Sequence, residues 1–141
     1  MSEVKVSEVV AAPAAKVWEL LGDFGGVMKW SGPMMQSCTL EGEGVGAVRR
    51  IGLTGGLEIS ERCEAYDAAK RSLSYSIIGK SPLPLRDYFS TVTVTETGAN
   101  ECRVEWNGRF EPAGVPEEQA QGMVRGIYTG GIAAVKKQLG G

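Results

Sequence analysis

The run from Pro116 to Leu139 constrains this chain most, because it is the one segment whose spacing reads as a long helix. Ala120, Met123, Val124, Ile127, Gly131, Ala134, Val135 and Gln138 recur at three-and-four spacing, which gives one apolar or small face. Pro116 suits the first turn, where a missing N–H costs nothing, and Glu117 and Glu118 meet the positive end of the helix dipole. Lys136 and Lys137 complement the other end, and Gly140-Gly141 stops the run. Such a helix is about 35 Å long. One short helix cannot cover it, so something broad must.

The rest of the chain reads as that cover. Val4 to Val10 alternates as a strand, with Val4, Val6 and Val10 on one side and Glu8 sharing it. Pro13 opens a short helix from Ala14 to Leu21, with Val17, Trp18 and Leu21 on one face, and Val27 to Trp30 adds a further turn. Six strand-like segments follow: 34–40, 47–53, 57–66, 72–78, 87–96 and 101–110. In the segment 57–66, Leu57, Ile59, Glu61, Cys63 and Ala65 share one face, while Glu58, Ser60, Arg62 and Glu64 make the wet one. The stretch Gly79 to Arg86, with Pro82 and Pro84, is too proline-rich for a central strand. The fold class predicted is α+β. It takes a helix-grip form: a curved seven-stranded antiparallel sheet around a long C-terminal helix, with two short helices after the first strand. Residues 1–141 are read as a single domain. Such an arrangement often encloses a cavity between sheet and helix.

Composition removes several classes of function. The net charge is −2 with no block of like charges, so no nucleic-acid partner and no polybasic membrane surface are expected. No apolar run approaches the length of a membrane span, and the N-terminus does not read as a secretory signal, so a cytoplasmic location is expected. Cys38, Cys63 and Cys102 are read as reduced thiols. The chain has no histidine, which excludes Ser-His-Asp and Cys-His catalysis and argues for no metal and no cofactor. Gly42-x-Gly44-x-x-Ala47 is half of a dinucleotide fingerprint, but it precedes a strand rather than opening a helix and is read as a turn.

Against this background Glu61 stands out as the one carboxylate on an otherwise apolar strand face. A charge facing a dry core costs several kcal/mol unless paired or hydrated. It therefore belongs either to a polar cavity or to an ion pair with Arg49, the one charge on the apolar side of the neighbouring strand. Arg49 can alternatively reach water at the sheet end along its stem. Tyr75 and Tyr88 combine an apolar body with a polar tip, which fits either core packing or ligand contact. Gly130-Gly131 inside the helix fits close packing, a kink or room for a ligand.

Several motifs carry a resemblance. Ala12-Pro13 followed by Val17-Trp18, Leu20-Leu21 and Phe24 resembles the first helix of the START-like superfamily, which includes Bet v 1 proteins, polyketide cyclases and lipid-transfer domains. Gln36-Ser37-Cys38, Val45-Gly46 with Arg49, Gly56-Leu57, Ser60-Glu61-Arg62, Ser76-Ile77-Ile78-Gly79, Leu85-Arg86-Asp87-Tyr88 and Ser90-Thr91-Val92-Thr93 are similar to the plant abscisic acid receptors. The resemblance implies a gate loop at 54–58 and a latch at 80–86 that includes Leu85, with Arg49, Glu61 and Tyr88 as polar cavity positions. Gln36 stands where those receptors place a lysine for the hormone's carboxylate, so a neutral ligand is implied instead of an acid.

The leading expectation is a binding module that holds a small, largely apolar molecule in a cavity between the sheet and the C-terminal helix. Leu57, Ile59, Tyr75, Ile77, Leu85, Val92, Val104, Trp106, Met123 and Ile127 would supply wall, and Gln36, Arg49, Glu61 and Tyr88 would orient the guest. The alternatives are a polyketide cyclase or dehydratase with Glu61 as general base beside Arg49 and Tyr88, and a ligand-free interaction domain that dimerises through its gate face.

Overall fold

The computed structural model describes residues 2–31 and 35–140. Strand β1 (Ser2–Val10) leads into helix α1 (Ala14–Leu21) and a short 3₁₀ turn (Val27–Lys29). Then come β2 (Met35–Glu41), β3 (Val48–Leu53), β4 (Glu58–Asp67), β5 (Ser72–Ile78), β6 (Leu85–Gly98) and β7 (Glu101–Pro112), and last helix α2 (Glu117–Gln138). The seven strands form one antiparallel sheet in the order β1-β7-β6-β5-β4-β3-β2. This is the predicted α+β helix-grip class. Met34, assigned to the second strand from sequence, lies outside the described residues.

The sheet follows from alternation. In β7, Cys102, Val104, Trp106, Gly108 and Phe110 are buried, and the residues between them are half-buried or exposed. In β1, Val4, Val6 and Val10 are buried, and Glu8 resolves as a half-buried carboxylate bonded by the Lys136 ammonium of α2 at 3.0 Å. Alternation breaks once where it matters. Arg86 faces Glu111 and Phe89 faces Arg109, so three steps of β6 span two of β7. Asp87 sits in this bulge with φ of 53°, in the left-handed region that non-glycine residues rarely occupy. The extra residue lets Leu85 and Tyr88, three apart in sequence, both turn inward.

Helix α2 lies against β1 and β7. Its buried face is Ala120, Val124, Tyr128, Ile132 and Val135, with Met123 and Leu139 packed at its margins. This corrects the expected face in one respect: Ile127 is 42% exposed and Tyr128 is fully buried. The helix is rotated so that the four-residue row 120–124–128–132 meets the sheet. Of the two central glycines, only Gly131 faces inward, where an added Cβ would lie 3.1 Å from the Trp106 ring and 3.6 Å from the Trp30 ring. Gly130 is exposed with open space beside it.

Candidate ligand site

Neighbouring strands bring Arg49 and Glu61 face to face, since they are cross-strand partners of β3 and β4. Arg49 Nε donates to Glu61 Oε1 at 2.8 Å, and an Arg49 terminal nitrogen donates to the Phe24 carbonyl at 3.0 Å. The guanidinium also sits 4.2 Å from the Phe24 ring centroid and 5.0 Å from that of Tyr75. Each residue is only 7% exposed. Arg49 therefore does not snorkel to water. The pairing, the carbonyl and the two aromatic faces together offset the cost of burying both charges.

Deeper in the sheet the interior is filled by rings. Trp106 stacks on Tyr128 at 5.2 Å between centroids, and Trp30 meets Trp106 edge-on at 6.4 Å. Tyr75 lies 6.2 Å from Tyr88, which lies 6.4 Å from Phe110. Their polar tips find one another. Tyr88 and Tyr128 share a hydroxyl–hydroxyl bond of 2.5 Å, Tyr128 donates to Ser90 Oγ at 2.9 Å, and Trp106 Nε1 donates to the Tyr75 hydroxyl at 3.1 Å. Burial, which disfavours a phenolate, pushes the Tyr75, Tyr88 and Tyr128 hydroxyls above the ordinary tyrosine range, Tyr88 strongly so. All three are neutral phenols near neutral pH.

Open space lies at one end of the sheet. A pocket of about 460 Å³ is lined by Ile77, Leu83, Leu85 and Tyr88, with Ser81, Arg86, Asp87 and Ala113 among its rim. It sits between the β5–β6 loop and the segment that leads from β7 to α2. Ser81 braces that loop: its hydroxyl bonds the Leu83 carbonyl at 3.2 Å and accepts from the Leu83 amide at 3.1 Å.

The predicted site residues thus fall into three groups. Ile77, Leu85 and Tyr88 line the pocket. Arg49, Ile59, Glu61, Tyr75, Val92, Val104 and Trp106 are buried and do not line it. Gln36, Leu57 and Ile127 are exposed, and Met123 is half-buried at the margin of the core. The exposure of Gln36 follows from its place on edge strand β2, where the register also shifts between Met35 and Ser37. Leu57 lies 52% exposed in the β3–β4 loop. The wall expected from Met123 and Ile127 does not line this pocket; Trp106 and Tyr128 occupy the space between sheet and helix. Sequence reasoning missed Tyr128 and Ala113. The four-residue row on α2 carried the signal for Tyr128. Ala113 carried none.

An α+β sheet gripping one long helix, with a polar-tipped aromatic interior and a pocket at the strand ends, defines the helix-grip class of fold. A family model described as "Polyketide cyclase / dehydrase and lipid transport" matches residues 1–140. The chain is similar to MLP-like protein 423 of Arabidopsis thaliana, 32% identical over 111 residues, which covers 72% of this chain and 71% of that protein. A crystal structure of a Bacillus thuringiensis protein superposes with a TM-score of 0.88 at 34% identity, covering 96% of this chain and 97% of that one. The Bacillus cereus protein XoxI also gives a TM-score of 0.88, at 33% identity, covering 97% and 94%. The chain belongs to the polyketide cyclase / dehydrase and lipid transport family, of the Bet v 1-like and START-like kind. Members of that family typically bind small hydrophobic ligands. No helix among the described residues is long and apolar enough to cross a membrane.

Proposed function

We propose that this protein binds a small, largely apolar molecule in the pocket beside the β5–β6 loop. The observation that carries the reading is the pocket itself: about 460 Å³, walled by Ile77, Leu83, Leu85 and Tyr88, with Ser81, Arg86 and Asp87 beside them. That volume falls within the usual range for ligand sites. Gln36, Arg49, Glu61 and Ile127 do not line this pocket and have no part in this reading.

The cyclase or dehydratase alternative needs Glu61 free to take a proton. Its Oε1 is instead held by Arg49, which is itself fixed by the Phe24 carbonyl. That arrangement favours a binding protein.

Native mass spectrometry of the purified protein and thermal-shift screening against apolar alcohols, ketones and acids test the reading. A ligand at a hundred times its Kd adds about 2.7 kcal/mol to the stability of the folded state. Ala113→Phe, which fills the pocket rim, is expected to abolish the shift. No carried molecule and no shift with any compound would overturn the proposal.

A further inference from the structure

The outward face of the sheet carries a separate opening. A groove of about 290 Å³ is lined by Glu3, Phe89, Thr91, Asn107 and Arg109, and it shares no residue with the pocket beside the β5–β6 loop. Alternation puts all five on the face turned away from α2, because their strand neighbours Ser2 and Val4, Ser90, Gly108 and Phe110 are buried inward. Register sets Glu3, Arg109 and Phe89 side by side in one cross-strand row, with Asn107 and Thr91 in the next. The Arg109 guanidinium lies 5.5 Å from the Phe89 ring centroid. Among the described residues no ion pair joins Arg109 to Glu3. The Thr91 hydroxyl is engaged with Ser74 at 2.8 Å. Asn107 Oδ1 is screened from water and accepts no hydrogen bond, a state that native structures rarely leave uncompensated.

We propose that this groove is a second binding site, and that it takes a small aromatic zwitterion, of which an aromatic α-amino acid is the simplest. The site stands apart from the binding function proposed above, since the two openings lie on opposite faces of the sheet and have no wall in common. Charge decides the class of guest. The lining holds one charge of each sign, and the two are not bonded to each other, so each is available to a guest. A plain cation would meet Arg109 as well as Glu3, and a plain anion would meet Glu3 as well as Arg109. A zwitterion answers both. Its carboxylate takes the guanidinium's paired donors, and its ammonium faces Glu3 with protons left for the Asn107 acceptor. The half-buried Phe89 ring gives the guest's ring an apolar surface to lie on. The volume is at the small end for ligand sites, which suits a guest of this size.

The test uses three probes on one skeleton: L-phenylalanine, phenethylamine, which lacks the carboxylate, and phenylpropionate, which lacks the ammonium. Each is titrated at low salt into the isotope-labelled full chain, and backbone amide shifts report both affinity and location. Wild type is expected to bind L-phenylalanine about fivefold more tightly than either other probe, the upper range for one exposed charge contact. The shifts should centre on Phe89, Thr91, Asn107 and Arg109 rather than on the β5–β6 loop. Glu3→Gln should bring L-phenylalanine level with phenylpropionate, and Arg109→Gln should bring it level with phenethylamine. High salt should erode the preference, because both charges are exposed to screening. Circular dichroism checks that each variant keeps its fold. Equal affinities in wild type, a preference for a singly charged probe, or a preference unchanged in either variant would overturn the proposal. So would failure of L-phenylalanine to bind. Shifts confined to the β5–β6 loop would overturn it too, while supporting the pocket proposed above.

Discussion

Gly108 and Tyr128 occupy each other's space. A Cβ on Gly108 would overlap the Tyr128 hydroxyl oxygen and lie 3.1 Å from the ring carbon that bears it. Gly108 pairs with Val4 on one side and Ser90 on the other, so the phenol from α2 enters the sheet through a gap between three strands. Glycine normally weakens a strand. Here it admits the only helix side chain in the hydroxyl chain.

Gly108→Ala should therefore destabilise the protein by about 1–3 kcal/mol, the usual cost of overpacking a filled core. Urea denaturation measures it. Adding Tyr128→Phe, which removes the clashing oxygen, should recover part of the loss. A Gly108→Ala protein as stable as wild type would contradict the packing described.

The Arg49–Glu61 pair gives a second prediction. Glu61→Leu alone leaves a buried guanidinium without its carboxylate and should cost about 3–5 kcal/mol. Arg49→Met alone should cost a similar amount. The double variant should lose much less stability than the sum of the two, because neither buried charge then remains. Strict additivity in a double-mutant cycle would show the two side chains to be independent.

Asp87 carries backbone strain at the bulge that turns Leu85 and Tyr88 inward. A left-handed conformation costs an ordinary residue about 1–2 kcal/mol. Asp87→Gly should relieve part of that and raise or hold the melting temperature. Asp87→Val should lower it and weaken ligand binding in the adjacent pocket. The reverse order of stability would place the strain elsewhere.

The buried phenols predict an alkaline limit. Tyr75, Tyr88 and Tyr128 have folded-state pKa values raised above the ordinary 10.0, chiefly by burial. The unfolded chain therefore loses these protons first. Stability is complete below pH 10 and falls as pH rises through the raised values, by up to about 1.4 kcal/mol per pH unit for each group. Denaturant titrations between pH 9 and about 11.5 should show this decline, and Tyr128→Phe should make it shallower. Stability flat across that interval would contradict the burial of these hydroxyls.

The fold was largely legible because its elements carry strong periodicity. The bounds of α1 and β5 match the residues read from sequence, and the inward faces of β6 and β7 follow from strict alternation of Tyr88 to Val94 and Cys102 to Phe110. Part of the candidate site was legible for the same reason, since Ile77 and Tyr88 lie on inward faces. Helix orientation was harder. Ile127 and Tyr128 differ by about 100° around the axis, and an aliphatic residue scores as core more readily than a phenol. Only the hydroxyl partners Tyr88 and Ser90, distant in sequence, make Tyr128 the better interior residue. Edge strands were least legible. Leu40 and Gln36 alternate as an inward face would, yet β2 has one neighbour and leaves both exposed. Alternation reports which residues share a side, not whether anything covers that side.

Two ties run between β1 and α2. The Ser2 hydroxyl donates to Glu117 at 2.7 Å near the start of the helix, and Lys136 donates to Glu8 at 3.0 Å near its end. Mechanically the helix is a beam pinned at both ends to one border of the sheet. For the helix to swing away as a unit, both ties and its packing on β1 and β7 would have to break together. With the buried row from Ala120 to Val135 between them, the two ties hold the helix in register with β1 along most of its length.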